Sequence, residues 1–170
     1  MMSKAIMLSI RPKWCEKIIS GEKTIEVRKT RPKLDTPLKV YIYCTQSGVA
    51  LGAWGKQGKV IGEFTCDRID RLAPANEPYG IYDIDDDYVF QTCLENGALW
   101  DYGHGTPLFG WHISDLKIYD KPRELRELKK SNRDCFYADL GLAKRDCPDC
   151  KNSGCFLERP PQSWYYVEDD

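Results

Sequence analysis

Lys23 opens the run Lys23-Thr24-Ile25-Glu26-Val27-Arg28-Lys29, in which Thr24, Glu26 and Arg28 alternate with Ile25 and Val27. A period of two is that of a strand, so Ile25 and Val27 are expected in a core and Thr24, Glu26 and Arg28 on the opposite face. A hydroxyl, a carboxylate and a guanidinium on one side can donate and accept hydrogen bonds toward a polar ligand. The same pattern also describes a half-exposed strand whose charges are solvated, and spacing alone does not choose. A second group with chemistry is Cys135, Cys147, Cys150 and Cys155, in which Cys147-Pro148-Asp149-Cys150 forms a C-x2-C. Thiolates at that spacing can take two corners of a tetrahedral zinc site, and the other two cysteines would complete it. The surrounding Asp134, Lys144, Arg145, Asp146, Lys151 and Asn152 offer little core, so a structural zinc would hold what packing cannot. A redox pair and simple reduced thiols remain the alternatives to metal. Cys15, Cys44, Cys66 and Cys93 sit in apolar patterns and read as small buried hydrophobes.

The elements that must position these groups are legible around them. Pro12 suits a first helical position, Trp14, Cys15, Ile18 and Ile19 form an apolar stripe, and Gly21 supplies a left-handed stop, which gives a helix of about two turns. Strands are expected at 39–45, at 59–69 with Gly62 marking a bulge or close approach, over 108–119 as a pair or a bent strand, and at 163–168. A short helix is expected from Asp87 to Asn96, stopped by Gly97, with a loop over 100–107. Asp83, Asp85, Asp86 and Asp87 read as a solvated loop, since they lack the glycine and terminal glutamate of a calcium loop. Strands dominate and short helices interrupt them, so the expected class is α+β, β-dominated, as a small mixed barrel with short flanking helices.

The chain has 170 residues, 42% hydrophobic and 30% charged, which fits one globular domain and excludes a disordered one. No apolar run approaches the roughly 20 residues of a bilayer span, and Ala5 to Leu8 is too short for a signal-peptide core, so the expectation is a cytoplasmic protein with no membrane partner. The net charge of −1 conceals ten Lys or Arg against four Asp or Glu in residues 1–39, and two against nine in residues 67–101. A chain that is nearly neutral overall lacks the footprint of a non-specific nucleic-acid binder, so any affinity for RNA or DNA is expected to be local.

The run G-x-K-T-I-E-x-R-K, from Gly21 to Lys29, following a short amphipathic helix resembles the ASCH domain family, relatives of the PUA-like β-barrels that handle RNA and modified bases. The likeness extends more weakly through Gly110-Trp111-His112-Ile113-Ser114-Asp115-Leu116 to Pro160-Pro161-Gln162-Ser163-Trp164. It implies a single PUA-like domain over residues 1–170 and a cleft faced by Lys23, Glu26 and Arg28, with Lys23 at its mouth, whereas the cysteine-rich insertion at about 131–160 is absent from the minimal domains of that family. Such a set suits a nucleobase: Glu26 accepts from an exocyclic amine or ring N–H, and Arg28 forks to a carbonyl or phosphate. Trp14 or Trp111 could stack on a base for about 1–3 kcal/mol, with core packing as the alternative for each. His112, Ser114, Gln162 and Ser163 are candidates by resemblance alone. The implied function is binding of RNA or a modified nucleobase. The alternatives are amide hydrolysis of N4-acetylcytidine, in which Lys23 matches the lysine central to such enzymes, and a protein-interaction module. In those hydrolases the position three residues after the lysine is a threonine, which is Glu26 here, and Glu95 is a guess for the remaining acid. The ligand, RNA against DNA, and oligomeric state stay open.

Overall fold

A computed structural model describes residues 4–46, 56–76, 80–131, 157 and 159–169. The elements run β1 (Lys4–Ile10), α1 (Pro12–Ile19), β2 (Ile25–Arg28), β3 (Leu38–Cys44), β4 (Lys59–Cys66), β5 (Ile69–Leu72), α2 (Asp86–Thr92), α3 (Asn96–Gly103), β6 (Leu108–His112), β7 (Ser114–Glu124) and β8 (Trp164–Glu168). The class is mixed α+β with strands dominant. Among the described residues no helix is long and apolar enough to cross a membrane.

The chain gathers into two compact units, one of Met1–Lys13, Lys39–Phe64 and Lys117–Asp170, the other of Trp14–Leu38 and Thr65–Leu116. The first is built on a five-stranded sheet in the order β7-β4-β3-β1-β8. β1 lies inside this sheet, parallel to β3 and antiparallel to β8, and six of its seven residues are buried. That two-sided burial is why Ala5 to Leu8 reads as a continuous apolar run instead of an alternation. Ala5, Met7, Tyr41, Tyr43, Val60, Leu125, Leu128, Leu157 and Val167 pack together on one side. Gly62 marks a close approach, because a Cβ there would lie 2.5 Å from the Lys117 carbonyl oxygen.

The second unit carries the sheet β2-β6-β5, antiparallel throughout. Val27, Leu72, Tyr82, Leu99 and Leu108 form its core, with Ile84, Tyr88, Leu94 and Trp100 packed against them.

The expected closed barrel is not formed: among the described residues the strands make two open sheets. The stretch expected as one strand over 59–69 breaks at Asp67-Arg68, ending β4 in one sheet and starting β5 in the other. Ile113 separates β6 from β7 in the same way. Among the described residues β7 and β8 do not pair either. The chain leaves β7 through a 3-10 turn at Leu125–Glu127, and the following residues meet β8 through one bridge, Lys130 to Val167.

The helical region also differs from expectation. Two helices, α2 and α3, replace one, and Gly97 lies in the first turn of α3 instead of stopping a helix. The stop is Cys93, in the left-handed conformation at φ 54° with its N–H donating to the Phe90 carbonyl. The acidic run is not all loop. Asp85 caps α2 by accepting from the Tyr88 N–H at 2.8 Å, and Asp86 and Asp87 occupy the first turn, where carboxylates meet the positive end of the helix dipole. Cys15, Cys44 and Cys66 are buried as expected, whereas Cys93, drawn to the helix end, is only half-buried.

Candidate ligand-recognition site

The site starts from the turn between α1 and β2. Gly21 adopts φ 79°, the left-handed stop that its position required, and the chain then folds back so that the Lys23 N–H donates to the Lys17 carbonyl at 2.9 Å. The Thr24 N–H donates to the Gln91 carbonyl at the end of α2, and its own carbonyl accepts from Ile113. Lys23 is thereby pulled inward and is only 2% exposed. Its Nζ donates to the Thr92 carbonyl at 2.6 Å, lies 3.4 Å from Glu26 Oε2, and stands 5.1 Å from the centre of the Trp14 ring. Arg28 Nη2 meets the other oxygen, Glu26 Oε1, at 3.1 Å. One carboxylate is therefore clasped between an ammonium and a guanidinium, beside the face of a half-buried tryptophan.

This differs from the alternation expected for β2. All four residues Ile25–Arg28 are buried, and Thr24, outside the strand, is exposed. A solvated polar face does not describe Glu26 and Arg28, and Lys23 is not at a mouth. The end of α2 and Trp14 of α1 explain why: Thr24 and Lys23 are tied to the Gln91 and Thr92 carbonyls, and Lys23, against the Trp14 ring, closes over Glu26, so the polar side is covered as well as the apolar side.

The register of β2 on β6 separates the candidates. Ile25 and Val27 face with their partners His112 and Gly110, whereas Glu26 and Arg28 face with Trp111 and Phe109. Trp111 shares the side of Glu26 and has no exposed surface. His112 lies on the other side. It belongs to a cluster that the sequence did not reveal: His112 Nε2 is 2.6 Å from Asp70 Oδ2, Arg68 meets Asp70 through Nε at 2.9 Å, and the Tyr88 hydroxyl donates to Asp70 at 3.3 Å. The available signal was Arg68-Ile69-Asp70, whose spacing of two puts both charges on one side of a strand edge. Burial pushes the Asp70 carboxyl up, but the hydrogen bond and charge of His112, together with Arg68, outweigh it and hold the group below its ordinary value. Burial, reinforced by the Asp70 charge, raises the Tyr88 phenol, and burial pushes the nearby Cys66 thiol up to about 12.

Gln162 is exposed in the bend before β8, within the first unit. Glu95 stands exposed as the N-cap of α3, and the helical region instead presents Lys23 with the Thr92 carbonyl. Cys135, Cys147, Cys150 and Cys155 lie outside the described residues, and among the described residues no cluster of His, Cys, Asp or Glu is arranged to hold a metal ion.

Comparison with solved structures finds the ASCH protein of Zymomonas mobilis at a TM-score of 0.61 and 18% identity, covering 97% of this chain and 88% of that one. A tyrosine-to-phenylalanine mutant of the Zymomonas mobilis protein aligns at a TM-score of 0.58 and 17% identity, over 98% of this chain and 92% of that one. The likeness is one of fold. A comparison with curated proteins finds no match. Residues 8–91 match the family model of the ASCH domain, so the segment that holds Trp14, Lys23, Glu26 and Arg28 is an ASCH domain, a PUA-like fold generally associated with RNA binding.

Proposed function

We propose that this chain binds RNA or a modified nucleobase through Lys23, Glu26 and Arg28, with Trp14 as the aromatic wall of the site. The observation that carries the reading is the buried clasp of one carboxylate by two basic side chains, in which Lys23, Glu26 and Arg28 are 2%, 6% and 8% exposed. Desolvating three charged groups costs several kcal/mol per ion and is recovered only in part by their attraction, so an apolar set would stabilise a strand as well or better. Their presence is explained when a ligand uses them. A carboxylate already held by two cations is fixed in orientation, so it can accept from a base amine without first losing side-chain freedom. Arg28 offers a fork for a base carbonyl or a phosphate.

Titration of the full chain with nucleosides and short RNAs, followed by tryptophan fluorescence, tests this. Lys23→Ala and Arg28→Ala should each weaken binding by about tenfold or more, the scale of a charged hydrogen bond. Unchanged affinity in both variants would reject the site.

The second reading, hydrolysis of N4-acetylcytidine, is favoured by the 3.4 Å approach of Lys23 Nζ to Glu26, since a lysine paired with a carboxylate can transfer protons. Turnover abolished by Lys23→Ala would place it first. The structural zinc at Cys135, Cys147, Cys150 and Cys155 rests on their spacing, and about one zinc per chain in elemental analysis is its expected result.

A further inference from the structure

We infer that Phe109 and Arg71 form a platform for a second nucleotide of a single-stranded RNA, with its base on the Phe109 ring and its phosphodiester on the Arg71 guanidinium. The inference rests on the nucleobase reading of the clasp of Lys23, Glu26 and Arg28, and extends it from one base to a dinucleotide step. Strand pairing assembles the surface. Phe109, in the central strand β6, stands opposite Arg28 of β2 on one side and opposite Arg71 of β5 on the other. Residues directly opposed in antiparallel strands share a face, with Cβ atoms about 4.5–5.5 Å apart, so these three make one row, a phenylalanine between two arginines, on the side that carries Glu26.

The row opens toward the β5 edge. The neighbouring row on this face, Glu26, Trp111 and Ile69, is closed at its centre, where Trp111 has no exposed surface. In the Phe109 row, Arg28 is buried and holds Glu26, Phe109 is half-buried, and Arg71 is exposed. Arg71 makes no ion pair among the described residues. Its strand neighbour Asp70 lies on the other face, where His112 and Arg68 hold it. The Arg71 guanidinium therefore has no carboxylate to displace before it meets an anion, whereas Nη2 of Arg28 is already on Glu26.

A phenyl ring left partly open in the middle of a sheet, with a guanidinium on each side, suits an unstacked base whose π-face packs on the ring. Stacking tolerates every base, so this position adds affinity without adding sequence choice. The adjoining guanidinium presents a fork of N–H donors to the unesterified oxygens of a phosphodiester. Single strands are the class that fits, because a duplex keeps the faces of its bases stacked on one another. An arginine that only guarded the β5 edge against strand pairing would need no aromatic beside it, and separate substitutions of Phe109 and Arg71 distinguish the two roles.

The test is a titration of the full chain, followed by tryptophan fluorescence, with the common ribonucleosides and with the dinucleoside monophosphates that join them through one phosphodiester. The native chain should bind the best dinucleoside monophosphate about fivefold or more tighter than its better component nucleoside, the lower end of the range for one base stacked on an aromatic ring. Phe109→Leu, which keeps an apolar side chain and removes the ring, should bring that ratio toward one. Arg71→Gln should lower the ratio too, and should make the slope of log affinity against log salt shallower by about 0.7, the share of one phosphate in a single strand. A ratio near one in the native chain, a ratio that survives Phe109→Leu, a salt slope unmoved by Arg71→Gln, or an RNA duplex bound as tightly as a single strand of the same length would overturn the proposal. The native chain decides alone should a variant fail to fold. Failure of the clasp reads differently. Dinucleotide affinity that falls in Phe109→Leu but not in Lys23→Ala or Arg28→Ala leaves the platform and removes the clasp, whereas nucleoside binding lost in Lys23→Ala, with a ratio near one in the native chain, leaves the clasp and removes the platform.

Discussion

Glu26 is the residue on which the Lys23 cluster depends, because each of the two basic side chains beside it would lose its carboxylate if it were truncated. Glu26→Ala should therefore destabilise the chain by about 3–5 kcal/mol in denaturant unfolding, whereas Lys23→Met, which leaves Glu26 on Arg28, should cost clearly less. Equal losses in the two variants would show that the groups do not act as a clasp. Acid and alkali should probe different residues. Asp70 is held low in the folded chain, so the stability it contributes is present above the ordinary carboxylate range and is lost as pH falls through its folded value. Cys66 runs the other way. Its thiol rises from 9.0 to about 12 on folding, so the unfolded chain releases its proton first and stability falls between those values, by up to about 1.4 kcal/mol per pH unit. Cys66→Ala should flatten the alkaline limb of a stability profile measured from pH 8 upward; an unchanged slope would contradict the burial that raises the thiol.

At the level of elements, β6 and α2 fit together through a missing side chain. Tyr88 lies across Gly110, and a methyl group there would stand 1.9 Å from its hydroxyl and 3.0 Å from its ring carbon. Gly110→Ala should destabilise by about 1–3 kcal/mol, the usual penalty of overpacking. Because the nearest clash is with the hydroxyl, Tyr88→Phe in the same chain should recover part of the loss, and a double-mutant cycle reads that coupling directly. Additive effects would mean that the two residues do not press on each other. The start of α2 is equally specific. Asp85→Ala removes the side chain that accepts from the Tyr88 N–H and should cost about 1 kcal/mol.

For the whole molecule, charge limits how an anionic polymer is held. The chain carries a net −1, with its basic excess in residues 1–39 and its acidic excess in residues 67–101. Binding should rest on a few local contacts, so the logarithm of the affinity for a short single-stranded RNA should fall against that of salt with a slope of about −2 or shallower. A slope several times steeper would indicate a broad basic groove and would displace Lys23, Glu26 and Arg28 from the centre of recognition.

The sequence by itself determined what depends on neighbours along the chain. Pro12 and Gly21 bounded α1, the alternation after Lys23 marked a strand with a charged side, and the G-x-K-T-I-E run carried the family. These follow from dihedral preference and side-chain period, which act over a few residues. Tertiary pairing decided the rest. Whether Glu26 and Arg28 met water depended on what packs over them from far along the chain, including the end of α2 at Gln91 and Thr92, and the answer was burial. The pairing of β2 and β5 with β6 sent His112 to the far side of the sheet from Glu26 and joined it to Arg68 and Asp70, because a register set by long-range hydrogen bonds assigns every side chain to one face or the other. Two open sheets replaced the expected barrel because strand closure is fixed by which edges pair, and no local pattern in β7 or β8 encodes that choice.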